Sequence, residues 1–163
     1  MTAPVPASVP SSTPSSTPAS VSASASASLV PPAPLVVGPL SRTDLVRYQG
    51  ASGDFNPIHH DEPFALAAGL PQPLSLGMLQ AGMLATWATD WLGASNVRRF
   101  RVRFAERVFP GDTVTCSGKI VKSSVDDDGQ PVVDLELECT TQTGAVALRG
   151  WATFVTPGPT GES

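Results

Sequence analysis

Both histidines of the 163-residue chain lie in one twelve-residue segment, SGDFNPIHHDEP (52–63). Asp54 and His59 are five positions apart there, and the Asn56-Pro57 pair between them interrupts any regular helix or strand. A carboxylate and an imidazole can therefore converge across a tight bend. Because the unperturbed imidazole pKa is about 6.5, histidine exchanges a proton readily at neutral pH. The segment predicts an acid–base pair that holds a water molecule near a carbonyl or thioester, an arrangement typically worth about 10²–10⁴-fold in rate.

A plain surface loop is the competing interpretation of this segment. Gly53, Asn56 and Pro57 are common turn formers, so a loop explains each of them individually. A loop does not explain two histidines beside acidic residues, flanked by Phe55 and Ile58. Composition alone leaves the choice between loop and functional site open.

A metal site is a third use of the same side chains. Asp54, His59, His60 and Asp61 are all of ligand type. Adjacent histidines point apart in extended chain, however, and the sequence has no third histidine. We therefore predict no metal and no other cofactor, and we expect His60 and Asp61 to face solvent or to cap the following helix.

The second half of a site is predicted at the start of the longest helix candidate, residues 75–92. The backbone N–H groups of Gly77 and Met78 would lie in its first turn, where donors have no partner within the helix. Such donors stabilise a developing oxyanion, and losing one costs about 10²–10³-fold in turnover. Gly77 also permits close packing, and both roles can hold together.

The long helix is predicted to be buried. Its sequence, SLGMLQAGMLATWATDWL, is apolar nearly all round, which is typical of a core helix. A stripe of small side chains would let a sheet approach it closely: Gly77, Ala81, Ala85 and Ala88. Gln80, Thr86 and Asp90 interrupt the run, which is also short for a bilayer, so we do not expect a membrane span.

The elements around this helix predict an α+β domain. A short strand (35–40) comes first, followed by a helix that Ser41 or Thr43 can cap and that Gly50 terminates, and by a helix over 61–69. After Gly93 the period changes to two, so Phe100, Val102 and Phe104 share one strand face. Four strand candidates follow as an expected antiparallel meander: 97–108, 113–121, 132–141 and 145–155.

Composition sets the limits of this domain. Of the first 34 residues, 28 are Ala, Ser, Pro or Thr, and no charge precedes Arg42, which predicts a disordered tail over 1–34. The domain then covers 35–157, and 158–163 form a flexible C-terminus.

The formal charge of −4 disfavours binding to nucleic acid or anionic membranes. With two cysteines that we expect to be buried thiols, Cys116 and Cys139, the predicted location is the cytoplasm.

The segment YQGASGDFNPIHHDEPFA (48–65) resembles the hydratase-2 motif of the MaoC-like (R)-specific enoyl-thioester hydratases and dehydratases. The motif positions that agree are Tyr48, Ser52, Gly53, Asp54, Asn56, Pro57, Ile58, His59 and Ala65. The likeness runs from roughly Val36 to Val155 and includes a Gly-Met helix start and a Pro-Gly-Asp turn. It implies a single hot-dog domain, in which a curled antiparallel sheet wraps a long helix.

The resemblance implies reversible hydration of a trans-2-enoyl thioester to an (R)-3-hydroxyacyl thioester. In it, Asp54 and His59 bind and activate water, and the Gly77 N–H binds the thioester oxygen. Ser52, Gly53 and Asn56 support the loop. The substrate would be carried by coenzyme A or by an acyl carrier protein. The family likeness also implies a dimer, either of identical chains or with another hot-dog chain.

One position departs from the family pattern. Many members carry His-Gly-Met at the helix start, whereas this chain has Leu76-Gly77-Met78. The proposed oxyanion donor is backbone, so its chemistry does not need that histidine. The polar contact that the histidine makes is absent here, which favours testing a heteromer.

Two rival functions share the fold. A hot-dog acyl-thioesterase commonly carries a catalytic acid on the long helix, but the one acid here is Asp90, far from Gly77. A non-catalytic, partner-dependent subunit would be expected to lose Asp54 or His59, and this chain has both. Acyl length and pathway stay open among fatty acids, polyhydroxyalkanoate precursors, polyketides and sterol side chains.

An arginine ladder is the last candidate site. Arg99, Arg101 and Arg103 alternate along one predicted strand, so they share a face. They are candidates to contact coenzyme A phosphates or an acidic carrier protein. The alternative is a solvated outer face of the sheet.

Overall fold

The computed structural model describes residues 29–156, which form one five-stranded antiparallel sheet and three α-helices. The strands are β1 (Leu35–Val37), β2 (Val97–Phe104), β3 (Val114–Val125), β4 (Pro131–Thr141) and β5 (Val146–Val155). The helices are α1 (Arg42–Ser52), α2 (Glu62–Ala67) and α3 (Gly77–Leu92). The predicted α+β architecture, an antiparallel sheet with a long helix against it, is confirmed.

The predicted four-strand meander is wrong in one respect. The sheet order is β1-β3-β4-β5-β2, so only β3, β4 and β5 follow one another as neighbours. The link from β2 to β3 (105–113) is too long for a tight hairpin, and its Val108 carbonyl accepts a hydrogen bond from the Ser75 N–H. Strand β2 therefore pairs with β5 at the far edge of the sheet.

Glycines in the sheet allow α3 to approach it. Gly118 of β3, Leu137 of β4 and Gly150 of β5 are register partners in one row across three strands. A Cβ on Gly150 would lie 3.1 Å from Leu84 of α3, and one on Gly118 would lie 3.1 Å from Trp87. The missing side chains of these two glycines therefore leave room for Leu84 and Trp87 of the helix. The stripe of small residues predicted on the helix also contributes to this close approach, since Ala81 and Ala88 are buried at 3% and 0% exposure.

We expect Gly118→Val to destabilise the domain. The new Cβ would meet a Leu137 methyl at 2.5 Å and the Glu136 carbonyl oxygen at 2.8 Å, and a backbone oxygen in a central strand cannot move away cheaply. Overpacking of this kind costs about 1–3 kcal/mol. Urea unfolding measures it, with Ser117→Val on the outer face of the same strand as the matched control. Equal unfolding midpoints for the two variants would contradict this packing.

The C-cap of helix α1 lies three residues after Gly50, the predicted one. The first residue of the helix follows the N-cap Ser41, as expected, but Gly50 lies inside the helix. The C-cap is Gly53, whose φ of 73° is left-handed and whose N–H donates to the Gln49 carbonyl at 2.8 Å. This cap fixes the direction in which the chain leaves the helix, and Asp54 is the next residue.

The start of α1 is fixed by two reciprocal hydrogen bonds between Ser41 and Asp44. The Ser41 hydroxyl accepts from the Asp44 N–H, and the Asp44 carboxylate accepts from the Ser41 N–H at 2.9 Å. Hydrogen bonds from the Ser41 hydroxyl and N–H hold the pKa of Asp44 below its ordinary value. Because the pKa is lowered in the folded state, the stabilisation is present above the unfolded pKa and is lost as the pH falls through the folded one.

The two ends of the chain lie partly outside the described residues. Residues 1–28 and 157–163 are not described, so the tail and C-terminal predictions fall there. Residues 29–34 are described, without helix or strand, and the Ala33 carbonyl accepts from the Trp87 indole N–H at 3.0 Å. The last residues before β1 therefore contact the core helix, a contact not expected of a tail that reaches 34.

Cys116 and Cys139 face each other across β3 and β4 as buried, free thiols. A hydrogen bond with Cys139, together with burial, raises the pKa of the Cys116 thiol. That thiol stays protonated at neutral pH, so it is a poor nucleophile.

Helix α3 is less enclosed than its composition predicts. Its core face is buried, but Met78 is 57% exposed, and Gly82, Thr86 and Asp90 at four-residue spacing are exposed too. One stripe of the helix thus faces outward in the single chain. Across residues 29–156 we find no helix with the length and apolar character needed to cross a bilayer.

Candidate active site

Asp54 and His59 come together as the sequence predicts. The Asp54 Oδ2 lies 3.7 Å from the His59 Nε2. The imidazole side chain is 11% exposed, whereas the carboxylate is 51% exposed. A separation of 3.7 Å is too long for a direct hydrogen bond, but a water oxygen about 2.8 Å from each atom, to one side of the line that joins them, can donate to both.

Backbone hydrogen bonds shape the loop that carries this pair. The Ser52 hydroxyl accepts from the Asp54 N–H at 3.3 Å, and the Asp54 Oδ1 accepts from the Asn56 N–H at 3.3 Å. The Asn56 side-chain oxygen accepts from the Ile58 N–H at 3.1 Å and so caps a single 3₁₀ turn, Pro57–His59. One carboxylate oxygen of Asp54 is therefore held by the loop, and the other is left for His59.

The tautomer of His59 follows from its second contact. Its Nδ1 lies 2.8 Å from the Leu74 carbonyl oxygen. A carbonyl can only accept, so Nδ1 carries the hydrogen, and in the neutral ring Nε2 is left with a lone pair. Nε2 and the Asp54 Oδ2 are then two acceptors facing each other across 3.7 Å. A water molecule can donate one hydrogen to each, which is the geometry needed to activate it.

His60 and Asp61 make structural contacts and are not part of the Asp54–His59 pair. The Asp61 carboxylate accepts from the Phe64 N–H at 3.0 Å and caps α2, as predicted. His60 is exposed, but its Nδ1 lies 3.0 Å from the Gln49 Nε2, so it is held rather than free in solvent. Within residues 29–156, no group of three or more His, Cys, Asp or Glu side chains is placed to hold a metal ion.

Gln49 is a site residue that sequence reasoning missed. It is only 3% exposed, and its amide also donates to the Asp54 carbonyl at 3.2 Å. It therefore ties the last turn of α1 to both ends of the loop 54–60. The signal in the sequence is a polar residue four positions after the buried Leu45, on the same helix face.

The start of α3 lies beside this loop. The Leu74 N–H donates to the Ile58 carbonyl at 3.0 Å, and the Leu74 carbonyl contacts His59, so the chain enters the helix next to the imidazole. The N-cap, Leu76, makes no side-chain capping hydrogen bond. As the first helical residue, Gly77 has an N–H without an intrahelical acceptor.

Gly77 also leaves little room for a side chain. A Cβ at this position would lie 2.8 Å from the ring of Phe104, which is 52% exposed. The Phe104 ring thus stands over the helix start. Both uses of Gly77 expected from the sequence, an accessible donor and close packing, are compatible with this geometry.

Two buried polar side chains form hydrogen bonds that hold the start of α3. Gln80 and Ser75 are each 3% exposed. The amide is satisfied when its oxygen accepts from the Ser75 hydroxyl at 2.7 Å and its nitrogen donates to the Leu76 carbonyl at 2.7 Å. Gln80, which appeared in the sequence only as an interruption of an apolar run, therefore fixes the backbone around Gly77.

A small pocket opens at the start of α3, and neither Asp54 nor His59 lines it. Its volume is about 170 Å³, and its lining includes Gly77, Gln80, Phe104 and Arg107. The arginine ladder lies elsewhere: Arg99, Arg101 and Arg103 are on the outer face of β2. Arg107, in the loop after β2, lines the same pocket as Gly77, and the sequence analysis did not single it out.

Comparison with known proteins gives the same family as the sequence motif. Residues 23–142 match the family model for the MaoC like domain. The (R)-specific enoyl-CoA hydratase of Aeromonas caviae is 30% identical over 116 residues, which are 70% of this chain and 84% of that protein. The solved structure of the A. caviae (R)-hydratase involved in PHA biosynthesis superposes with a TM-score of 0.66 at 28% identity, over 77% of this chain and 93% of that one.

Other relatives are much longer than the region they share. The enoyl-CoA hydratase ChsH3 of Mycobacterium tuberculosis is 36% identical over 101 residues, which are 60% of this chain but 32% of that protein. The chain spans about a third or less of the first curated relatives that it matches.

Proposed function

We propose a function for this chain, which belongs to the MaoC-like domain family: it adds water reversibly to a trans-2-enoyl thioester and forms an (R)-3-hydroxyacyl thioester. The observation that supports this most strongly is the Asp54–His59 pair. Its two facing acceptor atoms are 3.7 Å apart, and the imidazole contacts Leu74, three residues before α3 begins. We place the chain in the cytoplasm, in keeping with its free thiols.

The proposed mechanism uses the pair as one acid–base unit. Water donates hydrogens to Asp54 Oδ2 and His59 Nε2, and its oxygen attacks C3 of the enoyl group. The C2–C3 π electrons move toward the thioester carbonyl, and the enolate oxygen is stabilised by the N–H of Gly77. The pair takes one proton from the water and returns one proton to C2, so the product gains H at C2 and OH at C3.

The supporting residues hold Asp54 and His59 in place and do not act on the substrate. Ser52, Gly53 and Asn56 fix the loop so that one oxygen of Asp54 faces His59. The Met78 N–H is a second donor in the first turn of α3, next to that of Gly77. No step of this scheme calls for a cofactor.

Thioester hydrolysis is not favoured by this geometry. Asp90, the acid on α3, lies thirteen residues after Gly77, which is about 20 Å along a helix axis. It is also exposed. A catalytic acid so far from the oxyanion donor cannot act on the same carbonyl.

An assay across chain lengths tests the function and its rival together. Purified protein is incubated with crotonyl-CoA, octenoyl-CoA and longer trans-2-enoyl-CoA substrates, and two signals are followed. Loss of the enoyl chromophore reports hydration, and release of free thiol reports hydrolysis. We expect hydration without thiol release, and the chain-length profile then bears on the pathway.

We also propose that the working form is a dimer. Large apolar side chains near the site are exposed in the single chain, among them Phe55 at 65%, Met78 at 57% and Phe104 at 52%. Strand β2 has an open edge as well, and open edges are usually paired or covered. A second hot-dog chain, identical or different, would close both and shield the reacting carbons from bulk water.

Light scattering on the purified chain checks this assembly. We expect twice the chain mass for a homodimer. For a heteromer we expect activity that appears only when a second hot-dog chain is added. A stable monomer with full hydratase activity would contradict both forms.

A further inference from the structure

Helix α1 buries one polar side chain against the loop that carries Asp54 and His59. Leu45 and Gln49 are the buried residues of this helix, and Gln49 is only 3% exposed. A buried amide costs free energy unless its hydrogens find acceptors. An apolar side chain would serve packing alone, so the amide at this position calls for a role beyond packing.

Both hydrogens of the Gln49 amide nitrogen have acceptors on the loop. The Gln49 Nε2 lies 3.2 Å from the Asp54 carbonyl oxygen and 3.0 Å from the His60 Nδ1. Because a carbonyl oxygen only accepts, the amide turns its nitrogen and not its oxygen toward the loop. The His60 Nδ1 then accepts the second hydrogen, so the neutral His60 ring carries its own hydrogen on Nε2. His59 and His60 are therefore neighbouring rings of opposite tautomer.

Gln49 is the link between Asp54 and a rigid element. Its carbonyl accepts from the Gly53 N–H at 2.8 Å, and its side chain donates to the Asp54 carbonyl, so two successive residues are held from α1. Elsewhere in residues 29–156, the hydrogen bonds found for Asp54 reach only Ser52 and Asn56, in the same exposed segment. The Asp54 carboxylate is 51% exposed, and without Gln49 it could turn away from the imidazole.

The imidazole of His59 is fixed independently, by the segment that leads into α3. Its Nδ1 donates to the Leu74 carbonyl at 2.8 Å. The 3.7 Å separation between the His59 Nε2 and the Asp54 Oδ2 therefore depends on two anchors, Leu74 for the imidazole and Gln49 for the carboxylate. Rates depend steeply on such separations, since a misplacement of about 1 Å can cost about 10²-fold.

We propose that Gln49 is a positioning residue for the hydration reaction, which sets the gap in which Asp54 and His59 hold water. It acts through the backbone of Asp54 and does not touch the substrate. Loss of the His60 ring leaves the Asp54 contact in place, so the rate depends on Gln49 far more than on His60. The inference rests on the proposed function for its reaction, whereas the contacts of Gln49 can be tested without turnover.

Nitrogen NMR tests the contacts directly, because the full chain has only two histidines. With ¹⁵N-labelled histidine at about pH 8, where neutral imidazole predominates, we expect one ring protonated at Nδ1 and one at Nε2. In Gln49→Met, which keeps the side-chain length but has no donor, the His60 Nδ1 signal should shift toward that of a free imidazole. The His59 Nδ1 signal should stay in place. A His60 Nδ1 signal that is the same in both proteins overturns the inference.

Kinetics test the positioning role. With a short trans-2-enoyl-CoA, Gln49→Met should lower kcat by about 10- to 10²-fold and leave KM unchanged. Gln49→Leu should behave alike and serves as the second variant if the first is poorly folded. Gln142→Met is the matched control, because Gln142 also makes two hydrogen bonds, to Asp112 and Thr113, and should affect stability without affecting kcat. An unchanged kcat for folded Gln49→Met, or a raised KM alone, contradicts the positioning role.

A double variant shows whether Gln49 acts through Asp54. In an Asp54→Asn background the carboxylate is already gone, so adding Gln49→Met should lower kcat no further. If the loss in this background is as large as in the wild type, Gln49 acts on the fold in general and the inference is wrong. A wild type that hydrates no enoyl thioester would instead contradict the proposed function, while the NMR comparison still decides whether Gln49 holds the loop.

Discussion

Asp54→Asn and His59→Ala should each lower hydration turnover by about 10²–10⁴-fold, the range for loss of a positioned acid or base. Asn keeps the shape of Asp54 and can still accept from the Asn56 N–H, but it cannot take a proton from water. The His59 variant removes the facing nitrogen 3.7 Å away. Initial rates with a short enoyl-CoA measure both effects, and thermal unfolding shows that the variants remain folded.

The two losses should not multiply. If Asp54 and His59 hold one water between them, then removing either abolishes the arrangement, and the double variant should be little worse than a single one. His60→Ala is the control, since His60 contacts Gln49 and not the reacting pair. Near-normal turnover in either single variant would remove the assignment of this site.

Gly77→Pro should lower turnover by about 10²–10³-fold, as expected for loss of one oxyanion donor. Proline has no N–H, yet it is well tolerated at the first position of a helix. The preceding residue, Leu76, already has an extended ψ of 121°, which a following proline requires. The substitution therefore removes the proposed donor while the helix can still form.

Gly77→Ala is the control for added volume. Both substitutions introduce a Cβ that must displace the Phe104 ring, which is half exposed and can move. Alanine keeps the N–H and proline does not, so the ratio of kcat values for the two variants isolates the donor. A ratio near one would show that Gly77 serves packing alone.

The approach of Asp54 to His59 was predictable because it is local. Asp54 and His59 are brought together by Gly53, Asn56 and a proline, within six residues of chain, and short motifs of this kind carry their geometry in their sequence. The long helix and the strands were predictable for a similar reason, since their periods of hydrophobicity differ. The family motif then gave the fold.

The support for the site was not predictable in the same way. Gln49 and Gln80 are single polar residues in otherwise apolar helix faces, and their partners are set by tertiary packing. The order of strands was missed because it depends on how the long 105–113 link crosses the fold. Once β2 pairs with β5, Arg103 meets Arg149, forty-six positions later in the chain.

Product analysis in heavy water tests the central claim most directly. The purified full chain, with its dimer partner if it needs one, is incubated with trans-2-enoyl-CoA in D₂O, and the product is examined by mass spectrometry and chiral chromatography. The account predicts an (R)-3-hydroxyacyl-CoA with one deuterium at C2, formed by the wild type and nearly absent with Asp54→Asn. Free coenzyme A with an unhydrated acid, or a product that the Asp54→Asn variant forms as fast as the wild type, would contradict it.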